Sequence, residues 1–151
     1  KWDTQNQEKK TFRKAEENIK IMFGHMNYAP VVPISAKEDT GIKQLLNTVM
    51  ELYNQLNRKI DTASLNTALK DWVAAYPPPA SRSAHFKMRY ITQTSVNPVE
   101  FLIFATRPEV VQQTYLSYIK NKVRTDLGFD KIPVKVELKA SRTKWENRTR
   151  T

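Results

Sequence analysis

A continuous apolar run, Phe101-Leu102-Ile103-Phe104-Ala105, places the strongest constraint on how this chain can fold. Strands that are apolar at every position are typical of the middle of a sheet whose two faces are both covered. We therefore expect residues 101–105 to form a central strand, and we expect the flanking segments to supply its neighbours and its cover.

The flanking segments predict a small domain with the order α-β-β-α-β. Apolar residues at helical spacing predict a helix that the prolines at 77–79 end, and Pro108 fits the first turn of a second helix over 109–127. Gly128 stands where a left-handed helix cap belongs. The residues that carry these patterns are Leu65, Leu69, Trp72, Val73 and Tyr76 for the first helix, Val111, Tyr115, Ile119 and Val123 for the second, Phe86, Met88, Tyr90 and Thr92 alternating with Lys87, Arg89, Ile91 and Gln93 for a half-buried strand, and Val134, Val136 and Leu138 for the last strand.

The first part of the chain predicts helix, strand, helix. Residues 11–26 have an apolar face and Thr11 as a plausible N-cap, residues 29–34 are short and apolar like a buried strand, and residues 41–57 form a second amphipathic helix. Pro33 restricts that strand to a short or edge position. This is an α/β pattern with too few strands to stand alone. We expect domains at 1–57 and 58–140 and a basic tail at 141–151.

Charge indicates the class of partner. The chain has 25 Lys and Arg against 15 Asp and Glu, a net charge of +10, which favours nucleic acid first and an anionic membrane second. Ten basic and seven acidic residues lie within 1–60, and fifteen and eight lie beyond, so the excess is mainly in the second part. The absence of cysteine suits a cytoplasmic location. No apolar run approaches the ~20 residues that span a bilayer.

Composition and spacing offer little support for other sites. His25 and His85 have no metal-ligand pattern around them, so we expect no metal site, and no catalytic arrangement of side chains stands out. Six Tyr and three Trp fall mostly at helix-face or strand positions. We interpret them as core residues rather than as platforms for stacked bases.

Two short motifs suggest a guanine site. Lys1-Trp2-Asp3 and Ser35-Ala36-Lys37 resemble the last two nucleotide motifs of a small GTPase, with a helix and a strand between them. A carboxylate such as that of Asp3 can accept two parallel hydrogen bonds from the N1–H and N2–H₂ edge of guanine. The backbone N–H of Ala36 can donate to guanine O6, and a Lys stem can cover the base. A helix-capping Asp followed by an ordinary strand-to-helix turn would have the same sequence.

A series of segments marks the second part of the chain over about 57–140: Ser64-Leu65-Asn66, Tyr76-Pro77-Pro78-Pro79, Lys87 to Gln93, Phe101 to Phe104, Tyr115 to Ile119 with Arg124, Gly128-Phe129 and Ile132-Pro133-Val134. In their order and spacing, these segments resemble the C-terminal KH-like domain of the Der (EngA) tandem GTPases. The fold that this resemblance implies is the incomplete end of a P-loop GTPase domain followed by a KH-like α+β domain with a three-stranded sheet.

The same resemblance implies a longer parent with two GTPase domains that hydrolyses GTP to GDP with Mg²⁺ and acts in assembly of the large ribosomal subunit. The implied partners are that subunit, its rRNA and the GTPase domains of the same chain. The implied guanine contacts are Lys1, Asp3, Ser35, Ala36 and Lys37. No phosphate-binding Gly-rich loop occurs in these 151 residues, and the chain does not begin with Met. We therefore expect a piece of the parent with no catalytic residue and no bound cofactor of its own.

A Gly-x-x-Gly loop, with which KH modules clamp single-stranded RNA, is missing, since the glycines are Gly24, Gly41 and Gly128. Any RNA contact must then come from basic side chains. The candidates are Lys87, Arg89, Lys120, Lys122, Arg142, Lys144, Arg148 and Arg150. One alternative is a stand-alone basic module that binds RNA or protein and has no nucleotide site. Another is a GTPase of the Era type with a genuine KH domain, against which the missing Gly-x-x-Gly argues.

Overall fold

The computed structural model describes residues 2–4, 9–78 and 86–141. The chain divides into two compact units. Unit 1 comprises Lys1–Leu56 and Asp130–Pro133, and unit 2 comprises Asn57–Phe129 and Val134–Thr151. Within the described ranges, no helix has both the length and the apolar character that crossing a membrane requires.

The described residues of unit 1 form two α-helices, α1 (Lys9–Met22) and α2 (Ile42–Leu56), and 3-10 turns at Trp2–Thr4 and Gly24–Met26. The second helix agrees with its prediction. The first begins before Thr11, which is therefore not its N-cap, and it ends four residues before residue 26 because the chain turns at Phe23. The prediction of a strand at 29–34 was wrong: residues 30–34 form neither helix nor strand. Pro30 and Pro33 have no N–H to donate to a neighbouring strand.

Several large apolar side chains of unit 1 are exposed. On α2, Leu46 and Tyr53 are each 60% exposed and Met50 is 58% exposed. Ile21 and Met22 at the end of α1 are more exposed still. The apolar stripe predicted for α2 is therefore only partly buried in this unit. Contiguous apolar surface of this kind is typical of a face that packs against another element.

Residues Asp130–Pro133 join unit 1 through α2. The side chain of Gln55, which is 9% exposed, donates to Asp130 Oδ1 over 2.9 Å and accepts from Lys131 N over 3.2 Å. Lys131 Nζ also lies 2.6 Å from Glu51 Oε1. The pairing with Glu51 raises the pKa of Lys131, so the lysine stays charged.

Unit 2 has the predicted order α-β-β-α-β and is an α+β domain with a three-stranded sheet. Its elements are α3 (Thr62–Ala75), β1 (Met88–Val96), β2 (Val99–Ala105), α4 (Gln113–Asp126) and β3 (Val134–Ala140). The sheet order is β1-β2-β3, with β1 antiparallel and β3 parallel to β2. A hairpin turn at Asn97-Pro98 joins the first two strands.

Among the described residues, helices pack against one face of this sheet only, and β2 is fully buried on that face and half-buried on the other. Phe101 and Ile103 of β2 are at most 1% exposed, whereas Leu102 and Phe104 between them are half-buried. The expectation that β2 is covered on both faces was therefore wrong. The core on the helical side contains Leu65, Leu69 and Trp72 of α3, Ile91 of β1, Tyr115, Ile119 and Val123 of α4, and Phe129.

A β-bulge in β1 changes which side chains face the core. Met88 pairs with Ala105 and Tyr90 pairs with Phe104, so Arg89 is the extra residue. Ile91 is fully buried while Tyr90 is 40% exposed. A simple alternation that groups Tyr90 with Met88 is therefore wrong beyond residue 88, because one extra residue moves the following side chains to the opposite face.

The segment before α4 also differs from its prediction. Pro108 begins a separate 3-10 turn, Pro108–Val110, and Val111 is extended, so the helix begins only at Gln113. Tyr115, Ile119 and Val123 are buried as their spacing predicted. Gly128 has φ +71°, which confirms the left-handed conformation expected after the helix.

Asn66 joins α3 to the outer edge of β1. Its Oδ1 accepts from Ile91 N and its Nδ2 donates to Ile91 O, both over 3.0 Å. The same Nδ2 donates to Thr62 O in its own helix over 2.7 Å. The side-chain amide thus pairs with Ile91 as a neighbouring strand would, and it satisfies backbone groups that an edge strand otherwise leaves unpaired.

Replacing Asn66 by Ala should lower the free energy of unfolding by about 2 kcal/mol, because the backbone N–H and C=O of Ile91 lose their partners. Asn121→Ala, an exposed site on α4, is the matched control and should change stability by less than about 0.5 kcal/mol. Urea denaturation of both variants measures the difference. Equal stabilities for the two would show that the Asn66 pairing contributes nothing.

Candidate functional site

Two segments that are 32 residues apart in sequence meet in unit 1. The backbone N–H of Trp2 donates to Ile34 O over 3.0 Å, and Ser35 Oγ donates to Asp3 Oδ1 over 2.7 Å. The Trp2 ring also contacts Phe12 of α1 edge-to-face, with 5.8 Å between ring centroids. Asp3 and Ser35, both named from the two short motifs, are therefore in direct contact.

A tight loop holds Ser35 in place. Ser35 and Thr40 exchange both backbone hydrogen bonds at 3.0 Å, which closes the loop between them. Inside it, the N–H of Glu38 donates to Ser35 Oγ over 3.3 Å. The serine is fully buried, and its hydroxyl both accepts from Glu38 and donates to Asp3. This hydroxyl is thus fixed by the loop and in turn fixes the carboxylate.

Gly41 ends the loop in a conformation that other residues rarely adopt. Its φ is +78°, and a Cβ at this position would overlap the carbonyl oxygen of Pro33. Asp39 also has a positive φ, of 51°. The close approach of Gly41 to Pro33 keeps the loop against the segment that carries Ile34.

The other residues predicted to contact guanine are close neighbours of Asp3 or Ser35 in the sequence. Ala36 and Lys37 are exposed in the loop, and Asp3 is half-buried. Lys1 lies outside the described residues. A carboxylate has about four lone-pair positions, so Asp3 can accept from Ser35 and still accept two donors from a base edge. The chemistry of these residues fits a guanine base, and they provide nothing for its phosphates.

The basic residues that were predicted to contact RNA and that the structure describes lie on different elements. Lys87 precedes β1, and Arg89 occupies the bulge. Lys120 is exposed on α4, and Lys122 on the same helix pairs with Asp126 at 3.3 Å. Since α4 packs on the core side of the sheet, these two lysines lie away from its other face. Arg142, Lys144, Arg148 and Arg150 lie outside the described residues.

Sequence reasoning missed the aromatic residues on the surface. Tyr53, Tyr76 and Tyr90 are 60%, 54% and 40% exposed, so the interpretation of the tyrosines as core was wrong for them. Tyr90 lies 6.0 Å from Phe104, measured between ring centroids. No sequence signal identifies this pair, because the bulge that brings Tyr90 to the surface leaves no mark in the alternation.

Among the described residues, no group of three His, Cys, Asp or Glu could hold a metal ion.

Comparison with known proteins identifies the family. A family model described as the KH-domain-like of EngA bacterial GTPase enzymes, C-terminal, matches residues 59–139. GTPase Der of Treponema pallidum subsp. pallidum is 44% identical over 139 residues, which are 92% of this chain and 30% of that relative. GTPase Der of Caldanaerobacter subterraneus subsp. tengcongensis is 31% identical over 139 residues, 92% of this chain and 32% of that relative.

GTPase Der of Desulfitobacterium hafniense (strain DCB-2) is 34% identical over 136 residues, which are 90% of this chain. The chain spans 30–32% of the length of these three curated relatives. A small three-stranded sheet with helices on one face agrees with the KH-like class that the family model names. The chain therefore belongs to the EngA (Der) family, which confirms the resemblance seen in the sequence.

Replacing Gly41 by Ala should destabilise unit 1, because the added methyl group overlaps Pro33 O and the positive φ disfavours a side chain. Gly24→Ala is the matched control, since nothing lies within 4 Å of a Cβ there. We expect the melting temperature of Gly41→Ala to fall by several degrees, since each kcal/mol lost from the free energy of unfolding lowers it by roughly 4–8 °C. The melting temperature of Gly24→Ala should stay close to the parent value. Equal melting temperatures would contradict the tight approach of Gly41 to Pro33.

Proposed function

We propose that residues 1–57 are the guanine-reading end of a GTPase domain, that residues 58–140 are a KH-like domain that follows it in the chain, and that residues 141–151 are a basic tail. The observation that carries this proposal is the hydrogen bond from Ser35 Oγ to Asp3 Oδ1. Two motifs that are far apart in sequence meet there, and each consists of residue types that recognise guanine.

In this proposal, each member of the set has a separate role. Asp3 accepts hydrogen bonds from guanine N1–H and N2–H₂, and Ser35 orients its carboxylate. The backbone N–H of Ala36, a residue that is exposed in the loop, donates to O6, an acceptor that adenine lacks. The aliphatic stems of Lys1 and Lys37 cover the faces of the base.

The exposed apolar faces of unit 1 support its assignment to a larger domain. Leu46, Met50 and Tyr53 of α2 present apolar surface that unit 1 leaves uncovered. In α/β domains, helices bury such faces against a parallel sheet. We propose that the sheet of the GTPase domain covers them in the full-length protein.

The activity proposed for the full-length protein is hydrolysis of GTP to GDP with Mg²⁺ in the cytoplasm, during assembly of the large ribosomal subunit. The residues described here would bind the base alone, whereas the phosphates and the metal need a Gly-rich loop and acidic or hydroxyl ligands from elsewhere in that protein. The relatives' name, GTPase Der, and the family match support this activity.

For the KH-like domain, we propose contacts with rRNA and with the GTPase domains of the same chain. The excess of fifteen basic over eight acidic residues beyond residue 60 supports a polyanionic partner. Because the glycines of the KH clamp are absent, affinity would depend on side-chain charge and surface shape instead of a backbone cradle.

Asp3→Asn in the full-length GTPase should lower GTP affinity about a hundred-fold and favour xanthosine triphosphate. Asn offers one acceptor and one donor, which matches the edge of xanthine and leaves a guanine donor unpaired. Competition binding with both nucleotides measures the preference. Asp39→Asn, an exposed acid at a φ that Asn tolerates, is the matched control and should keep the preference for guanine.

Unchanged guanine preference in Asp3→Asn would show that Asp3 does not read the base. The contact between Asp3 and Ser35 would then have a purely structural role, as expected for the stand-alone basic module without a nucleotide site.

The chain should bind rRNA or large ribosomal subunits with a steep dependence on salt. Release of counterions makes log K fall with log[salt] by roughly 0.7–0.9 per phosphate neutralised. Truncation after Ser141 removes Arg142, Lys144, Arg148 and Arg150, so it should weaken binding and flatten that slope. Filter binding across a salt series measures both quantities, and a truncated chain with the slope of the parent would show that the tail makes no phosphate contacts.

A further inference from the structure

One face of the unit 2 sheet carries no core side chains. Strand register places alternate residues of the three strands on it, opposite the face that buries Ile91, Phe101 and Ile103. We call it the open face, and its residues that matter here are Tyr90, Leu102, Phe104, Lys135, Glu137 and Lys139.

Aromatic surface lies at one end of the open face. Tyr90 is 40% exposed, and its ring is inclined by 47° to that of Phe104, which is half-buried. Half-buried Leu102 lies next to Phe104 along the same face of β2. A rigid aromatic ring held in a sheet offers a flat surface on which an unpaired base can stack.

Charge is distributed unequally between the two ends of the open face. At the far end, Lys135 lies 2.7 Å from Glu137 and 3.5 Å from Glu100, so its charge is compensated. At the aromatic end, Lys139 pairs in register with Phe104, and Arg89 lies in the bulge next to Tyr90. Neither of these two forms an ion pair within the part of the chain that the structure describes. The aromatic end is thus the basic end.

The basic tail starts from this same end. Strands β2 and β3 run parallel and finish together at Ala105 and Ala140, and Ser141 N donates to Ala105 O over 2.8 Å. The sequence that follows is basic, because Glu146 is its one acidic residue against Arg142, Lys144, Arg148 and Arg150.

We propose that the aromatic end of the open face binds single-stranded RNA. An unpaired base stacks on Tyr90 and Phe104, while Arg89 and Lys139 contact the flanking phosphates. This proposal rests on the RNA-binding role proposed above and assigns it to a specific surface. Stacking requires bases that are not paired in a helix, so loops and single strands are the targets.

The test uses the whole 151-residue chain and a fluorescein-labelled single-stranded RNA of about twelve nucleotides, measured by fluorescence anisotropy at about 50 mM salt. Tyr90→Ala should raise the Kd about five-fold or more, whereas Tyr90→Phe, which keeps the ring, should stay within about two-fold. On an RNA of equal length without bases, Tyr90→Ala should bind like the parent chain, because no stacking is lost.

Matched controls separate this surface from other exposed residues. Tyr76→Ala removes a tyrosine that is 54% exposed in a different cluster, beside Tyr115 and Tyr118, and should leave the Kd unchanged. Lys139→Ala should weaken binding more than Lys70→Ala, an exposed lysine on α3. If the melting temperature of Tyr90→Ala is well below that of the parent chain, its RNA affinity is not used. The comparison of Lys139→Ala with Lys70→Ala then decides whether the open face binds RNA.

The outcomes distinguish the two proposals. If the parent chain binds the RNA and Tyr90→Ala and Lys139→Ala bind as tightly as their controls, the open face is not the binding surface, while the RNA-binding role stands. If the parent chain does not bind RNA at low salt, the RNA-binding role and its assignment to the open face are both overturned. If Tyr90→Ala instead loses binding to an added GTPase domain with RNA affinity unchanged, the open face docks protein and the proposal fails.

Discussion

The pairing of the Asn66 side chain with the backbone of Ile91 is the interaction on which the layout of unit 2 depends. It fixes which residue of β1 lies beside α3, and Ile91 accordingly points into the core. Because side chains alternate along a strand, Tyr90 must then point the other way. The bulge accommodates Arg89 as one extra residue. Met88, three residues before Ile91, therefore also lies on the core side of the sheet, opposite Ala105.

A comparable constraint organises unit 1. Buried Ser35 is held by the closed loop to Thr40, and its hydroxyl reaches Asp3. In both units, one polar side chain with all its hydrogen bonds satisfied sets the position of a group at the surface. Such contacts are specific because a buried polar group without a partner is costly. The carboxylate of Asp3 and the ring of Tyr90 are both oriented in this way.

Much of the fold could be predicted because most elements have strong local patterns. The bounds of α2 to within one residue, the end of α3 just before its prolines, the buried row Tyr115, Ile119 and Val123, and the turn at Gly128 all follow from spacing or from glycine and proline chemistry. Predictions failed where contacts between distant parts of the chain decide the local structure. Residues 30–34 have a strand-like composition but no strand beside them among the described residues, and the face of β2 that bears Leu102 and Phe104 is only half-buried although these two residues are apolar.

The sequence by itself determined the order of elements in unit 2, the basic excess beyond residue 60, and the identity of the two short motifs. Only the tertiary structure decided that Asp3 meets Ser35 and that Tyr90 leaves the core to lie beside Phe104. The physical reason is the distance along the chain over which each interaction acts. Periodicity and turn chemistry act over a few neighbouring residues, whereas a bulge and its register depend on hydrogen bonds to a helix 25 residues away.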